Sequence, residues 1–173
     1  MYKRQGIVGF GRIGRRVGEL ANAFGMKVVA ADVVRAQDPD YQPFKWVEVD
    51  ELFSTSDVVS LHCPQTADNV GMVNRELIAK MKKSAFLINT SRGGLVVEED
   101  LVEALNSEKI AGAAMDVVST EPINPDNPLL KARNCIITPH IAWASLDARK
   151  RLMKATAENI SAYLSGSPIN VVS

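Results

Sequence analysis

Apolar runs of strand length alternate with helix-period segments from one end of the chain to the other, the pattern of a parallel sheet wrapped by helices. The apolar runs predict strands at 6–10, 27–31, 58–62, 85–89, 110–117 and 135–138. Apolar positions at three-to-four spacing predict helices at 13–24, 49–54, 75–81, 98–105 and 146–164. In the first helix Val17, Leu20, Ala21 and Phe24 form the expected buried stripe, and Gly25 ends it. In the last helix Leu146, Leu152, Met153, Ile160 and Leu164 build an apolar face, which is expected to be exposed in this chain. Pro39, Asp40, Gln42 and Pro43 mark a loop that Trp46 pins to the body, and 165–173 reads as extended. The expectation is an α/β fold, a doubly wound parallel sheet with helices on both faces.

One strand-to-helix junction carries chemistry. Gly9-Phe10-Gly11-Arg12-Ile13-Gly14 follows an apolar strand and opens an amphipathic helix. The motif alone is a weak signal, and its setting decides its meaning. Gly9 falls at the tight turn, Gly11 where backbone must approach a pyrophosphate, and Gly14 where helix crosses strand. The first turn, with Arg12 and Ile13, presents free amides and partial positive charge to the phosphates. The Arg12 side chain either adds a contact or faces solvent. Asp32 ends the second strand, eighteen residues beyond Gly14, where an acid accepts from the ribose hydroxyls. These features predict a Rossmann domain that takes NAD in preference to NADP, with Arg35 leaving some tolerance for the latter.

Composition narrows the partner. The chain has 173 residues, 46% of them hydrophobic, enough for one domain with a short appendage. Twenty basic residues balance twenty acidic ones, which gives no field favouring nucleic acid or an anionic membrane, so a small molecule is the expected partner. No apolar run approaches the roughly eighteen residues that cross a bilayer. Cys63 and Cys135 lie in apolar stretches and read as reduced, packed thiols of a cytoplasmic protein. No metal site is expected.

Residues just past the carboxyl ends of strands are the place to look for catalysis in a doubly wound sheet. Arg92, Glu121 and His140 follow the fourth, fifth and sixth predicted strands. Moving a hydride to or from a 2-oxo or 2-hydroxy acid needs a cation for the carboxylate, a proton donor and acceptor, and a group that tunes that donor. Arg92 suits the first by its bidentate fork. His140 suits the second, and a carboxylate such as Glu121 at its other ring nitrogen favours the protonated ring. Asp116, late in the fifth strand, has two readings: a strand-end cap or an acceptor for a carboxamide. His62 reads as structural.

At these residues the chain resembles the D-isomer-specific 2-hydroxyacid dehydrogenases. The resemblance runs from Gly6 onward and rests on GFGRIG at 9–14, NTSRGGLV at 89–96, AAMDVVSTEP at 113–122 and TPHIAWAS at 138–145. Trp143 and the ending Pro168-Ile169-Asn170-Val171-Val172 are most similar to glycerate dehydrogenases, also called hydroxypyruvate reductases. The resemblance implies that Arg92 binds substrate, His140 is the acid/base and Glu121 its hydrogen-bonded partner. It implies further that Asp116 contacts the nicotinamide carboxamide, that Thr90 and Ser91 lie against the cofactor, and that Cys63 and Pro64 border the adenine pocket. Formate dehydrogenases of this fold carry glutamine where Glu121 stands, which disfavours them.

Family members have a lobe ahead of the glycine-rich strand, and residues 1–5 are too short to replace it. An N-terminally incomplete chain is therefore expected, with 1–145 as the NAD-binding domain and 146–173 as a helix and tail that return to the missing lobe. A homodimer is expected of the full-length form. A second function class stays open: an NAD(H)-sensing binding module, like the dehydrogenase-related corepressors, without turnover.

Overall fold

The computed structural model describes residues 3–172, so Met1 and Tyr2 of the expected truncated start lie outside the described residues, as does Ser173 of the tail. The chain divides into two compact units, Met1–Pro139 and His140–Ser173.

The first unit holds seven strands: β1 (Arg4–Val8), β2 (Lys27–Ala31), β3 (Phe44–Trp46), β4 (Val58–Leu61), β5 (Phe86–Asn89), β6 (Gly112–Met115) and β7 (Cys135–Ile137). Its helices are α1 (Arg12–Ala23), α2 (Val49–Thr55), α3 (Arg75–Lys80) and α4 (Glu98–Asn106). The strands form one sheet in the order β3-β2-β1-β4-β5-β6-β7, and every pair is parallel. The order reverses between β1 and β4, where a doubly wound sheet opens a crevice for ligand.

Strand alternation builds a core on each side of this sheet. Ile7, Val28 and Ala30 face one way with Phe10 and Ala21, whereas Val8, Val29 and Ala31 face the other with Leu52, Phe53, Leu61 and Leu87. A Cβ on Gly6 would run into Leu52 of α2, while the neighbouring Ile7 reaches Gly14 of α1, which places those two helices on opposite faces. Leu52, Phe53, Leu61 and Leu87 are each fully buried, worth about 1.5–3 kcal/mol apiece.

Three expectations are corrected. The loop at Pro39–Pro43 leads into a strand that the pattern does not predict, β3, which pairs Val28 with Phe44 and Ala30 with Trp46. Its rings pack around Phe10, with Phe44 stacked at 5.1 Å and Trp46 edge-on at 5.3 Å. A three-residue edge strand is too short for alternation to reveal. The strand expected at 110–117 spans only Gly112–Met115; Ile110 and Val117 are buried beyond its ends, so the apolar run outlasts the strand. Helix α1 turns Gly14, Gly18 and Ala21 inward and leaves Leu20 and Phe24 exposed. Close approach to the strand selects its smallest residues.

The second unit contains α5 (Leu146–Leu164), capped by Ser145, whose hydroxyl accepts the Ala148 amide at 3.3 Å. Its apolar face is exposed at Leu146, Leu152, Met153, Ile160 and Leu164, as the sequence leads one to expect. Among the described residues, no helix is long and apolar enough to cross a membrane.

Candidate functional site

The turn between β1 and α1 is built for an anion. Gly9 has φ +88°, a left-handed conformation that side chains resist, and its amide donates to Ala31 O at 2.9 Å. A Cβ on Gly14 would stand 2.1 Å from Gly9 O, so only glycine lets the helix start this close to the strand. A Cβ on Gly11 would meet nothing within 4 Å. No side chain caps α1, and no acid sits in its first turn, so its leading amides stay available to a ligand. Arg12 and Ile13 have exposed side chains there.

A cleft of about 840 Å³ opens beside this turn. Gly9, Gly11, Asp32, Cys63 and Pro64 line it, joined by apolar walls from Val33, Val47, Val49 and Met72. Asp32 sits one residue past β2. Its Oδ2 accepts the Phe10 amide at 2.6 Å and its Oδ1 the Val34 amide at 3.4 Å. A carboxylate offers about four lone-pair positions, so each oxygen keeps one for a further donor. Arg35, also on the rim, is paired with Glu48 of the same cleft.

His62 lines the cleft as well, with Nε2 at 2.9 Å from Ser60 Oγ. Burial pushes the His62 ring's pKa below its ordinary value, which fits a neutral, structural imidazole. Burial pushes the Cys63 thiol up, its own amide pulls the other way, and the charge of Asp32 adds to the rise. Cys63 and Cys135 are both free and half-buried, as expected of packed thiols.

The ends of β5 and β6 carry the other candidates of the first unit, and these do not line the cleft. Asn89, fully buried at the end of β5, accepts the Ser91 amide at 3.0 Å and donates to Arg92 O at 2.9 Å. Ser91 Oγ donates to Leu61 O at 2.9 Å. This clasp folds the Thr90-Ser91-Arg92 turn and leaves Thr90 and Arg92 exposed. Asp116 is buried just past β6, where its Oδ1 accepts the Thr138 hydroxyl and its amide donates to Asn89 O at 2.9 Å. Glu121 lies on the exposed loop that follows, with Oε1 accepting the Val118 amide at 3.3 Å.

In the second unit, exposed His140 adopts φ +53° and its carbonyl accepts Trp143 Nε1 at 2.9 Å. Among the described residues, no cluster of three or more His, Cys, Asp or Glu could hold a metal ion. Sequence reasoning passed over Asn89, although a polar residue closing an apolar strand was a visible signal. It also passed over Glu98, whose burial has no local sign.

A doubly wound sheet, an uncapped helix behind a glycine turn and an acid past β2 define a dinucleotide-binding domain, and the turn and carboxylate on one cleft suit the phosphate and ribose chemistry of NAD. The sequence profile of the D-isomer specific 2-hydroxyacid dehydrogenase, NAD binding domain, matches residues 1–142, and the chain belongs to that family. It is 55% identical over 170 residues to a hydroxypyruvate reductase of Blautia hydrogenotrophica, covering 98% of this chain and 53% of that protein. It is 44% identical over 169 residues to a glycerate dehydrogenase of Methylorubrum extorquens, covering 96% of this chain and 52% of that one. A crystal structure of D-lactate dehydrogenase from Aquifex aeolicus, complexed with NAD and lactic acid, superposes with a TM-score of 0.86 at 36% identity. That match covers 95% of this chain and 54% of the other. The chain thus spans about half the length of the relatives it matches.

Proposed function

We propose that this chain is the cofactor-binding part of an NAD-dependent oxidoreductase acting between a D-2-hydroxy acid and its 2-oxo acid, with glycerate and hydroxypyruvate as the pair. The observation that carries the reading is the uncapped glycine turn and Asp32 on one cleft, with Arg92 and Glu121 past the carboxyl ends of strands in the same sheet. Residues 1–145 serve as the cofactor domain and 146–173 as a helix and tail. The assembly is a homodimer in the cytoplasm, with small molecules as its ligands.

Bound NAD(H) supplies or accepts the hydride. Gly11 and the first-turn amides of Arg12 and Ile13 hold the pyrophosphate, where the turn at Gly9 and the close helix–strand approach at Gly14 place them. Asp32 orients the ribose, and Cys63 and Pro64 border the adenine. Thr90 and Ser91 lie against the cofactor, and Asp116 accepts from the carboxamide. Arg92 grips the substrate carboxylate and polarises its carbonyl. His140 gives a proton to the substrate oxygen in reduction and takes it back in oxidation, and Glu121 holds the ring in its donor form. The sensing-module alternative draws no support from the relatives named above.

Hydroxypyruvate reduction by the full-length protein, followed by loss of NADH absorbance, tests the reading. His140→Ala should cut the rate about 10²–10⁴-fold while NADH binding persists. A rate that survives the substitution, or a wild-type protein with no turnover, rejects it.

A further inference from the structure

One buried carboxylate ties down both ends of the loop that carries Glu121. Glu98, the first residue of α4, is 6% exposed. Its Oε1 accepts the Ser119 amide at 2.7 Å, and its Oε2 accepts Ser119 Oγ at 3.0 Å and Asn127 Nδ2 at 2.8 Å. None of the three is an amide of its own helix, so the side chain does not cap α4. Asn127, itself buried, is fixed in turn: its Oδ1 accepts the Leu129 amide at 2.9 Å. The same backbone is pressed by the turn that follows Arg92, where a Cβ on Gly93 would lie 2.0 Å from Val118 O. The exit of β6 is thus held between Gly93 and Glu98.

We propose that Glu98 is a positioning residue, which through Ser119 and Asn127 sets where the Glu121 loop leaves the sheet. The inference rests on the acid/base role given to Glu121 above. All three partners are donors, so an acceptor-only carboxylate satisfies them and a neutral amide does not. In Glu98→Gln the new NH2 faces the Asn127 NH2. Turning Asn127 over transfers the conflict to the Leu129 amide. Adding Asn127→Asp removes it, because the new carboxylate accepts both from the side-chain amide introduced at position 98 and from the Leu129 amide.

Glu98→Gln, the double variant Glu98→Gln/Asn127→Asp and the milder Ser119→Ala are compared with wild type in the full-length protein. Amide hydrogen exchange over 119–127, kcat for hydroxypyruvate and the Kd for NADH are measured. Glu98→Gln should speed exchange in the loop and lower kcat, each about tenfold, the factor set by one unmet buried hydrogen bond. NADH Kd should stay within about twofold. The double variant should recover most of both losses, and Ser119→Ala should move both readouts the same way by a smaller factor. Unchanged loop exchange, a loosened loop with unchanged kcat, or a double variant no better than the single one overturns the proposal. A wild type without turnover sinks the oxidoreductase reading instead. Exchange and rescue then decide whether Glu98 anchors the loop.

Discussion

Alanine at Gly11 and alanine at Gly14 should fail in different ways, because the two glycines do different work. At Gly14 the added methyl would sit 2.1 Å from Gly9 O and 3.1 Å from Ile7 Cγ2. An ordinary carbon-to-oxygen contact is about 3.3 Å, so the turn must retreat by about 1 Å. It is poorly free to do so, with Gly9 at φ +88° and its amide tied to Ala31 O. Overpacking of this kind costs about 1–3 kcal/mol, a fall in Tm of about 2–12 °C for a chain of this size.

Gly11 has φ −76° and ψ −159°, open to any residue, and nothing lies within 4 Å of an added Cβ. Alanine there is the poorer N-cap by up to about 1 kcal/mol, and the reduced freedom of the unfolded chain returns about 0.4–1 kcal/mol. Stability should therefore hold within about 1 kcal/mol. The methyl instead fills the space through which the pyrophosphate reaches the backbone. Losing one charge-assisted hydrogen bond, about 1.5–3 kcal/mol, weakens NADH by about 10- to 150-fold. Thermal unfolding by circular dichroism and NADH titration by fluorescence separate the two. A Gly11→Ala protein that binds NADH within about twofold of wild type, or a Gly14→Ala protein with unchanged Tm, refutes the reasoning.

Asp32→Asn keeps the shape but weakens acceptance from the ribose hydroxyls. It should raise the NADH Kd about tenfold and narrow the preference over NADPH, and equal titrations of variant and wild type would contradict this. Asp57 gives a pH signature. Burial pushes its carboxyl up, but the Arg4 amide at 2.7 Å, the Lys82 ammonium at 3.1 Å and the charge of Lys3 outweigh that and hold it below its ordinary value. The stabilisation is complete above the unfolded value of about 3.9 and is lost as pH falls through the lower folded value. Asp57→Asn should thus cost about 1–2 kcal/mol near neutrality, with the gap closing in acid. Denaturant titrations across that range would show a constant gap if the sign were wrong. The Tyr41 hydroxyl is buried without a hydrogen-bond partner among the described residues, and burial first, then the charge of Glu19, raises its pKa to about 12 against the pull of Arg15. Tyr41→Phe should be neutral or stabilising by up to about 1 kcal/mol, and a clear loss in thermal unfolding would reveal a partner for that hydroxyl.

The strand-helix alternation was legible because burial on two faces forces continuous apolar runs, and β2 and α5 occupy the residues that the pattern predicted. The glycine turn and Asp32 were legible because tight turns and anion-binding helix starts make demands on residue type within a few positions. Other features left no local trace. Leu20 and Phe24 have the spacing of a buried stripe, yet α1 lies on the sheet through Gly14, Gly18 and Ala21. Periodicity marks which residues share a face and is silent about which face a neighbour needs to be thin.

Local rules of sterics and periodicity were therefore enough to read from the amino-acid order a parallel sheet, a dinucleotide turn and the candidate residues past its strands. The folded chain alone decided that β3 completes the sheet edge and that Glu98 is buried under the Glu121 loop. Both depend on partners distant in sequence. Glu98 meets Asn127 across 29 positions, and whether an acid at the start of a helix faces water or three converging donors is settled only when those segments are brought together.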